Sequence, residues 1–134
     1  MTDFHLRIVT PDGLEYDGMA EEVIVRSTSG DIGILAGHIN CVAPLGMGQA
    51  TFVIDGKKRY AACIGGMLSV LNGSVTLVPT TFEWADEIDS ARAEKAVERA
   101  QQIINDKSAP EADIRVAKAK LKRALIRKSV AQWK

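Results

Sequence analysis

The sequence has few of the residues that build most metal and redox centres. Its 134 residues include two cysteines, two histidines and four prolines, and aromatic residues make up 5%. Cys41 and Cys63 lie in apolar surroundings, where a buried free thiol is common, and they form no zinc-ligand pattern. We therefore expect two buried free thiols, no metal site, no disulfide and a protein that is kept in a reducing compartment.

Long apolar runs and catalytic motifs are also absent. No run approaches the roughly 20 apolar residues needed to span a bilayer, and the N-terminus Met-Thr-Asp-Phe-His lacks the basic-then-apolar order of a secretory signal. Neither His5 nor His38 accompanies a nucleophile motif, and no P-loop, Gly-x-Ser-x-Gly or His-Glu-x-x-His sequence occurs. We expect a noncatalytic protein that reaches a membrane only through a partner.

Charge is neutral in total but divided along the chain. Residues 1–85 hold five Lys/Arg against nine Asp/Glu, residues 86–110 hold four against six, and residues 111–134 hold eight against two. This polarity suits contact with partners or anions. The basic segment could neutralise nucleic-acid phosphates, but no aromatic residues are interleaved with its cations and the net charge is zero, so we expect no nucleic-acid binding.

The first 84 residues have the pattern of short β-strands. Phe4, Leu6 and Ile8 alternate with other residues, which is the period of a strand with one buried face. Asp-Gly and Asn-Gly supply the positive φ angles of type I′ turns and so predict two hairpins. The paired segments are Thr51–Ile54 with Lys57–Ala61, and Met67–Leu71 with Ser74–Val78.

A glycine-rich stretch, Gly30-Asp31-Ile32-Gly33, interrupts this pattern. Its spacing predicts a structural or partner-contact loop that leads into an apolar segment. Many short strands at this spacing leave no room for crossover helices. The sequence therefore predicts an antiparallel β-sandwich, or flattened barrel, over residues 1–84.

After Trp84 the apolar period becomes helical. Asp86 or Asp89 is available to cap the first helix, and Ser108-Ala109-Pro110-Glu111 has the spacing of a capping box that starts a second. The alanine-rich stripes bury little apolar area, so we expect a marginally stable antiparallel helical hairpin over residues 85–134 with two accessible arrangements. The stripe residues are Ala93, Ala96, Val97, Ala100, Ile103 and Ile104, then Ile114, Ala117, Leu121, Ala124 and Leu125. The whole chain is thus predicted to be α+β.

Four arginines are spaced to share helix faces. Arg92 and Arg99 are two turns apart, and Arg123 and Arg127 are one turn apart. If these faces meet in a closed hairpin, the guanidiniums converge and favour an anion such as phosphate. The alternative is a solvated face with ordinary weak charge pairs. The carboxylates that would balance the first helix in that alternative are those of Asp89, Glu94 and Glu98.

Four motifs occur in this order along the chain: Val9-Thr10-Pro11-Asp12-Gly13, Gly30 to His38, Gly65-Gly66-Met67-Leu68-Ser69-Val70 and Asn72-Gly73-Ser74-Val75-Thr76-Leu77. Together with the predicted sandwich and hairpin, these motifs resemble the epsilon subunit of bacterial F-type ATP synthases over almost the whole chain. The resemblance implies a noncatalytic subunit of the central rotor stalk, at the cytoplasmic face of the cell membrane, that couples ion translocation to ATP synthesis. It implies that the sandwich docks on the gamma subunit and the c-ring, with Asp31 facing the ring and His38 near gamma. The hairpin would fold on the sandwich or extend to the alpha/beta catalytic head and inhibit ATP hydrolysis.

The start of the first helix, Ile88-Asp89-Ser90-Ala91-Arg92-Ala93, resembles the motif with which some bacterial members bind ATP. The resemblance implies ATP as a regulatory ligand and no required cofactor. The implied contacts to the base and ribose come from Glu83, Ile88, Asp89 and Ala93, and those to the phosphates from Arg92, Arg99, Arg123 and Arg127. Two alternatives remain open, namely a stand-alone ATP-sensing module and, more weakly, a nucleic-acid adaptor.

Overall fold

Strands occupy the chain as far as Trp84, and helices follow. The computed structural model describes residues 2–134, and this stretch divides into two compact units, of which the second is Ala85–Lys134. The division falls where the apolar period changes from two to helical. The strands are β1 (Phe4–Thr10), β2 (Gly13–Ala20), β3 (Glu22–Ser27), β4 (Gly30–Leu35), β5 (Cys41–Pro44), β6 (Met47–Ile54), β7 (Lys57–Ile64), β8 (Met67–Leu71), β9 (Ser74–Val78) and β10 (Thr81–Trp84).

Within residues 2–84 the strands form two five-stranded sheets that enclose one core. The first sheet has the order β2-β1-β9-β8-β5 and the second β10-β7-β6-β3-β4. All pairings are antiparallel except that of β1 with β9. Leu6 and Ile8 from the first sheet and Val23 and Phe52 from the second are fully buried in this core. The predicted sandwich and the predicted inward face of β1 are confirmed.

The two predicted hairpins are present, with the turn chemistry that identified them. Asp55 and Gly56 have φ angles of 53° and 74°, and Asn72 and Gly73 have 50° and 84°. Positive φ at both central residues is the type I′ geometry that matches the twist of paired strands. β8 and β9 have the predicted bounds, whereas β6 and β7 are longer than predicted because pairing continues to Met47 and Ile64.

The segment Gly30–Leu35 is an edge strand, so the loop prediction was wrong. β4 pairs along its whole length with β3, from Ser27 opposite Gly30 to Glu22 opposite Leu35. Ile32 and Ile34 pack inward against the core, and Gly33 lies on the outer face. The alternation of isoleucine with other residues therefore outweighed the preference of glycine for irregular backbone.

An aromatic cluster lies at the last strand of the sandwich. Phe52, Phe82 and Trp84 meet edge to face, with ring centroids 5.0 to 6.1 Å apart. The guanidinium carbon of Arg59 lies 3.8 Å from the ring centroid of Trp84. Edge-to-face rings and a cation over an indole are both attractive arrangements, so these contacts fix the end of β10.

Two helices make up most of the second unit. A 3₁₀ turn, Ala85–Glu87, precedes α1 (Ser90–Ile104), and α2 (Glu111–Ala131) returns to contact both α1 and that turn. Small buried side chains line the facing stripes, and the predicted hairpin is confirmed. Ile103 and Leu125, which were predicted to pack, are instead exposed. The buried stripe residues are Ala93, Val97 and Ala100 on α1 and Ala117 and Ala124 on α2.

The helix starts agree with the prediction at α1 and differ at α2. Asp89 caps α1, and its Oδ1 accepts a hydrogen bond from the backbone N–H of Arg92 at 3.1 Å. The capping box predicted for α2 was wrong. Ser108 donates from its backbone N–H and its hydroxyl to Asp106 at 2.9 and 2.7 Å, so this serine is already engaged. The N-cap position belongs to Pro110, without a side-chain hydrogen bond.

The two cysteines differ in their environment. Both are free thiols, as predicted. Cys63 on β7 is buried, whereas Cys41 on the edge strand β5 is only half-buried. An edge strand is covered on one side only, which explains why an apolar neighbourhood in sequence did not bury Cys41.

Candidate functional site

The positions of the four arginines on the hairpin follow from helix periodicity and from one ion pair between the helices. Glu94 Oε2 on α1 lies 2.8 Å from Lys128 Nζ on α2. This contact indicates that residues 94 and 128 lie at about the same level along the axis. Because the helices are antiparallel and rise equally per residue, Arg99 is then at about the level of Arg123.

The same contact distinguishes the two long edges of the hairpin. At about 100° per residue, Arg92 and Arg99 lie on the opposite side of the buried α1 stripe from Glu94. On α2, Arg123 and Arg127 lie on the opposite side of the buried stripe from Lys128. The Glu94–Lys128 pair marks one edge, so all four arginines lie along the other. We call Arg92, Arg99, Arg123 and Arg127 the arginine flank.

Two of the three carboxylates that could balance the arginine flank are engaged elsewhere. Asp89 caps the first turn of α1 through the backbone of Arg92, and Glu94 pairs with Lys128. In the part of the chain that the structure describes, no carboxylate forms an ion pair with Arg92, Arg99 or Arg123. These three cations are exposed on one edge and are available to an anion.

Arg127 and the other residues implied in ATP contact have different environments. Arg127 is half-buried, and Ile88 and Ala93 are buried. Ala93 lies in the interface between α1 and α2, where a larger side chain would separate the helices. Glu83 belongs to β10 of the first unit and is half-buried.

Asp31 and His38, the implied partner contacts, lie in the β4 region. Asp31 is on β4 itself and accepts from Nε of Arg26 across the strand pair at 2.9 Å, so it is not in a loop. His38 follows β4 in a turn closed by its backbone N–H to the carbonyl of Leu35 at 3.2 Å. Its Nδ1 lies 2.8 Å from the carbonyl oxygen of Ile39, within hydrogen-bond distance. Asp31 is exposed and His38 is partly covered.

An apolar outer face on the first sheet was not identified from the sequence. Val42 on β5, Met67 and Leu71 on β8 and Val78 on β9 point away from the core, with exposed fractions of 68%, 43%, 60% and 47%. We call these four residues the apolar face. Contiguous exposed apolar surface of this kind commonly marks an interaction site. The available signal was that β8 is apolar at both inward and outward positions.

Other kinds of site lack support in the described residues. No group of three or more histidine, cysteine, aspartate and glutamate side chains among residues 2–134 is arranged to hold a metal ion. Over the same residues, no helix combines the length and apolar character needed to cross a membrane.

Family comparisons agree with the two-unit organisation. Residues 3–85 match the family described as "ATP synthase, Delta/Epsilon chain, beta-sandwich domain", and residues 86–132 match "ATP synthase, Delta/Epsilon chain, long alpha-helix domain". Similar chains named ATP synthase epsilon chain occur in several bacteria. That of Bacillus velezensis is 44% identical over 98% of both chains, and that of Caldanaerobacter subterraneus is 40% identical over 96% of this chain and 93% of its own.

Solved structures share the fold at lower identity. A chain in the OSCP/F1/c-ring structure of Euglena gracilis mitochondrial ATP synthase has a TM-score of 0.83 at 23% identity, covering 100% of this chain and 83% of that one. A chain in the central stalk and c-ring of the Tetrahymena thermophila enzyme has a TM-score of 0.64 at 10% identity, covering 95% of both.

Proposed function

The chain belongs to the family of ATP synthase epsilon chains, and from this premise we propose that its helical hairpin restrains ATP hydrolysis and that ATP regulates the restraint. An epsilon chain is a noncatalytic subunit of the central stalk, and catalysis resides in the beta subunits.

The basic helix α2 supports an inhibitory role. Residues 111–134 carry eight cations against two acids, and many of these cations are exposed. The α1–α2 interface consists largely of alanine, so it buries little apolar area and its loss costs little. An acidic surface on the alpha/beta head could therefore compete for α2, and long-range attraction would favour that arrangement.

The proposed binding of ATP rests on the arginine flank. Arg92, Arg99 and Arg123 lie on one edge of the closed hairpin without carboxylate partners among the described residues. Guanidinium groups suit phosphate oxygens geometrically and electrostatically. ATP bound across both helices would favour the closed hairpin, because an opened hairpin offers only two of the four arginines. High ATP would then hold the inhibitory arm closed.

Docking of the sandwich is assigned to the apolar face and to the β4 region. Val42, Met67, Leu71 and Val78 offer apolar contact to gamma, and Asp31 offers a carboxylate to the c-ring. His38 would lie at the gamma contact. Docked in this way, the subunit would sit peripherally at the cytoplasmic face of the cell membrane and couple ion translocation to ATP synthesis.

Deletion of residues 86–134 from the assembled complex tests the inhibitory role. We expect the truncated subunit still to co-purify with gamma and the c-ring, and ATP hydrolysis by the complex to rise. An unchanged hydrolysis rate in a fully assembled complex would remove the inhibitory claim and leave the docking claim standing. Failure of the full chain to associate with gamma or the membrane sector would instead favour a stand-alone ATP-sensing module.

A further inference from the structure

The Glu94–Lys128 pair has no role in the proposed function, yet it joins the two helices that carry the arginine flank. Its Oε2–Nζ distance is 2.8 Å, and both side chains are about half exposed. The pair lies on the edge opposite the arginine flank, so neither residue is placed to contact a ligand bound there. Apart from long-range electrostatics, any effect of the pair on such a ligand would pass through the alignment of the helices.

Alignment of this hairpin is weakly determined by its packing. The facing stripes offer Ala93, Val97 and Ala100 to Ala117 and Ala124. Large side chains fix the register of two helices by filling specific holes, and ion pairs between the helices also influence how the helices are oriented. An interface made largely of alanine has shallow holes, so it fixes the register less firmly against a slip of one turn, about 5.4 Å, than an interface of large side chains would.

A slip of one turn would disrupt the arginine flank. In the register that the Glu94–Lys128 contact indicates, Arg123 is at about the level of Arg99. A one-turn displacement would move Arg123 and Arg127 away from Arg99 and Arg92, and a single phosphate chain could no longer contact both helices in the same way. Charge-assisted hydrogen bonds depend strongly on such geometry.

We propose that the Glu94–Lys128 pair is a register lock, which aligns Arg123 and Arg127 with Arg92 and Arg99 and so positions the binding site for the polyphosphate group of a nucleotide. This inference rests on the proposed nucleotide role of the arginine flank. Glu94 and Lys128 are positioning residues in it. The apparent affinity for the nucleotide equals the intrinsic affinity reduced by the fraction of hairpins in register, so loss of the lock weakens binding without removing a ligand contact.

Charge variants separate alignment from general electrostatics, because the two effects have opposite signs. Glu94→Lys and Glu98→Lys each replace an acid by a base on the same edge of α1, and both therefore make the hairpin more attractive to an anion. Only Glu94→Lys breaks the pair. ATP affinity of the full chain is measured by calorimetry, with far-ultraviolet circular dichroism to check helix content.

We expect Glu94→Lys to weaken ATP binding roughly two- to fivefold, as suits one exposed pair, while Glu98→Lys leaves it unchanged or strengthens it. The exchange Glu94→Lys with Lys128→Glu restores both the pair and the net charge and should recover the affinity. If Glu94→Lys loses helix, Glu94→Gln compared with Glu98→Gln asks the same question with milder changes.

Equal behaviour of the Glu94 and Glu98 variants, or no recovery in the exchanged pair, overturns the register lock while the nucleotide site stands. Absence of ATP binding by the unaltered chain overturns both the lock and the nucleotide site. The two failures are therefore distinguishable.

Discussion

The carboxylate of Asp89 accepts a hydrogen bond from the backbone amide of Arg92 at 3.1 Å, so one contact both starts α1 and holds the backbone of the first arginine of the flank. We predict that Asp89→Ala lowers the free energy of unfolding of the hairpin by about 1 kcal/mol, because an N-cap side chain satisfies an otherwise unpaired amide. Asp89→Ser keeps a capping oxygen and should lose far less. Thermal melts followed by circular dichroism at helical wavelengths measure both.

Measurements of ATP binding distinguish the capping role of Asp89 from a direct contact between Asp89 and the ligand. If Asp89 acts on ATP only by ordering Arg92, Asp89→Ser should bind ATP as the unaltered chain does. A serine variant with full stability and weakened ATP binding would show that the carboxylate itself contacts the ligand. Equal melting of Asp89→Ala and the unaltered chain would contradict the capping role.

A close backbone approach makes Gly66 irreplaceable. A Cβ at this position would lie 2.0 Å from the carbonyl oxygen of Val78, and its φ of +97° is unfavourable for any L side chain. We predict that Gly66→Ala lowers the free energy of unfolding by more than about 2 kcal/mol, since steric overlap and backbone strain add. Gly33→Ala is the matched control, because a Cβ there meets no atom within 4 Å and φ is not in the strained range.

Urea unfolding of Gly66→Ala and Gly33→Ala measures the free energy of unfolding of the two variants. Gly33→Ala should stay within about 0.5 kcal/mol of the unaltered chain, as for most exposed substitutions. A Gly66→Ala chain as stable as Gly33→Ala would mean that the β8 and β9 backbones can separate at no cost.

Burial of Cys63 predicts a loss of stability at alkaline pH. Desolvation raises the pKa of this thiol from 9.0 to about 12. The unfolded chain releases the thiol proton above pH 9 and the folded chain retains it, so stability is fully present below pH 9 and falls as pH rises toward 12. The loss of unfolding free energy due to Cys63 approaches about 1.4 kcal/mol for each pH unit between pH 9 and pH 12.

Cys63→Ala isolates this contribution, because the variant keeps every other group that titrates at high pH. The difference in unfolding free energy between the unaltered chain and Cys63→Ala should shrink from pH 8 to pH 11. A difference that stays constant with pH would contradict the burial of the thiol. The half-buried Cys41 should react with a thiol reagent in the folded chain before Cys63 does.

Local chemistry made much of the sandwich predictable. Asp55-Gly56 and Asn72-Gly73 require a conformation that few other dipeptides adopt, and both hairpins are found there. β4 was not predicted because Gly30 and Gly33 suggest irregular backbone. Its pairing depends on β3, a neighbour that local sequence does not report.

Competition between side chains explains why the capping of α2 was predicted wrongly. Ser108 has the spacing of a capping residue, but Asp106 is nearer in sequence and takes both of its donors. This contact lowers the pKa of the Asp106 carboxyl, because both hydrogen bonds favour its charged form. The arginine spacing on each helix was readable from sequence. The relation between the helices was not, because it depends on the register that Glu94 and Lys128 mark.

The arginine flank predicts unequal effects of removing arginines from α2. Arg123 and Arg115 are both exposed on this helix, but helix periodicity places Arg115 on the face away from α1 and Arg123 on the flank. Arg123→Ala and Arg115→Ala remove the same charge from the same helix. We expect Arg123→Ala to weaken ATP binding on the order of tenfold, as for a lost charge-assisted hydrogen bond, and Arg115→Ala to have little effect.

Arg92→Ala extends the comparison to α1. A ligand that bridges the two helices should bind more weakly when an arginine is removed from either helix. Calorimetry on the isolated full chain measures all three variants. Equal losses from Arg115→Ala and Arg123→Ala would reduce the effect to general attraction between a basic helix and an anion. No heat and no thermal shift at millimolar ATP would sink the nucleotide site. A loss with Arg123→Ala but not with Arg92→Ala would confine the anion to α2, and ATP would then have no preference for the closed hairpin.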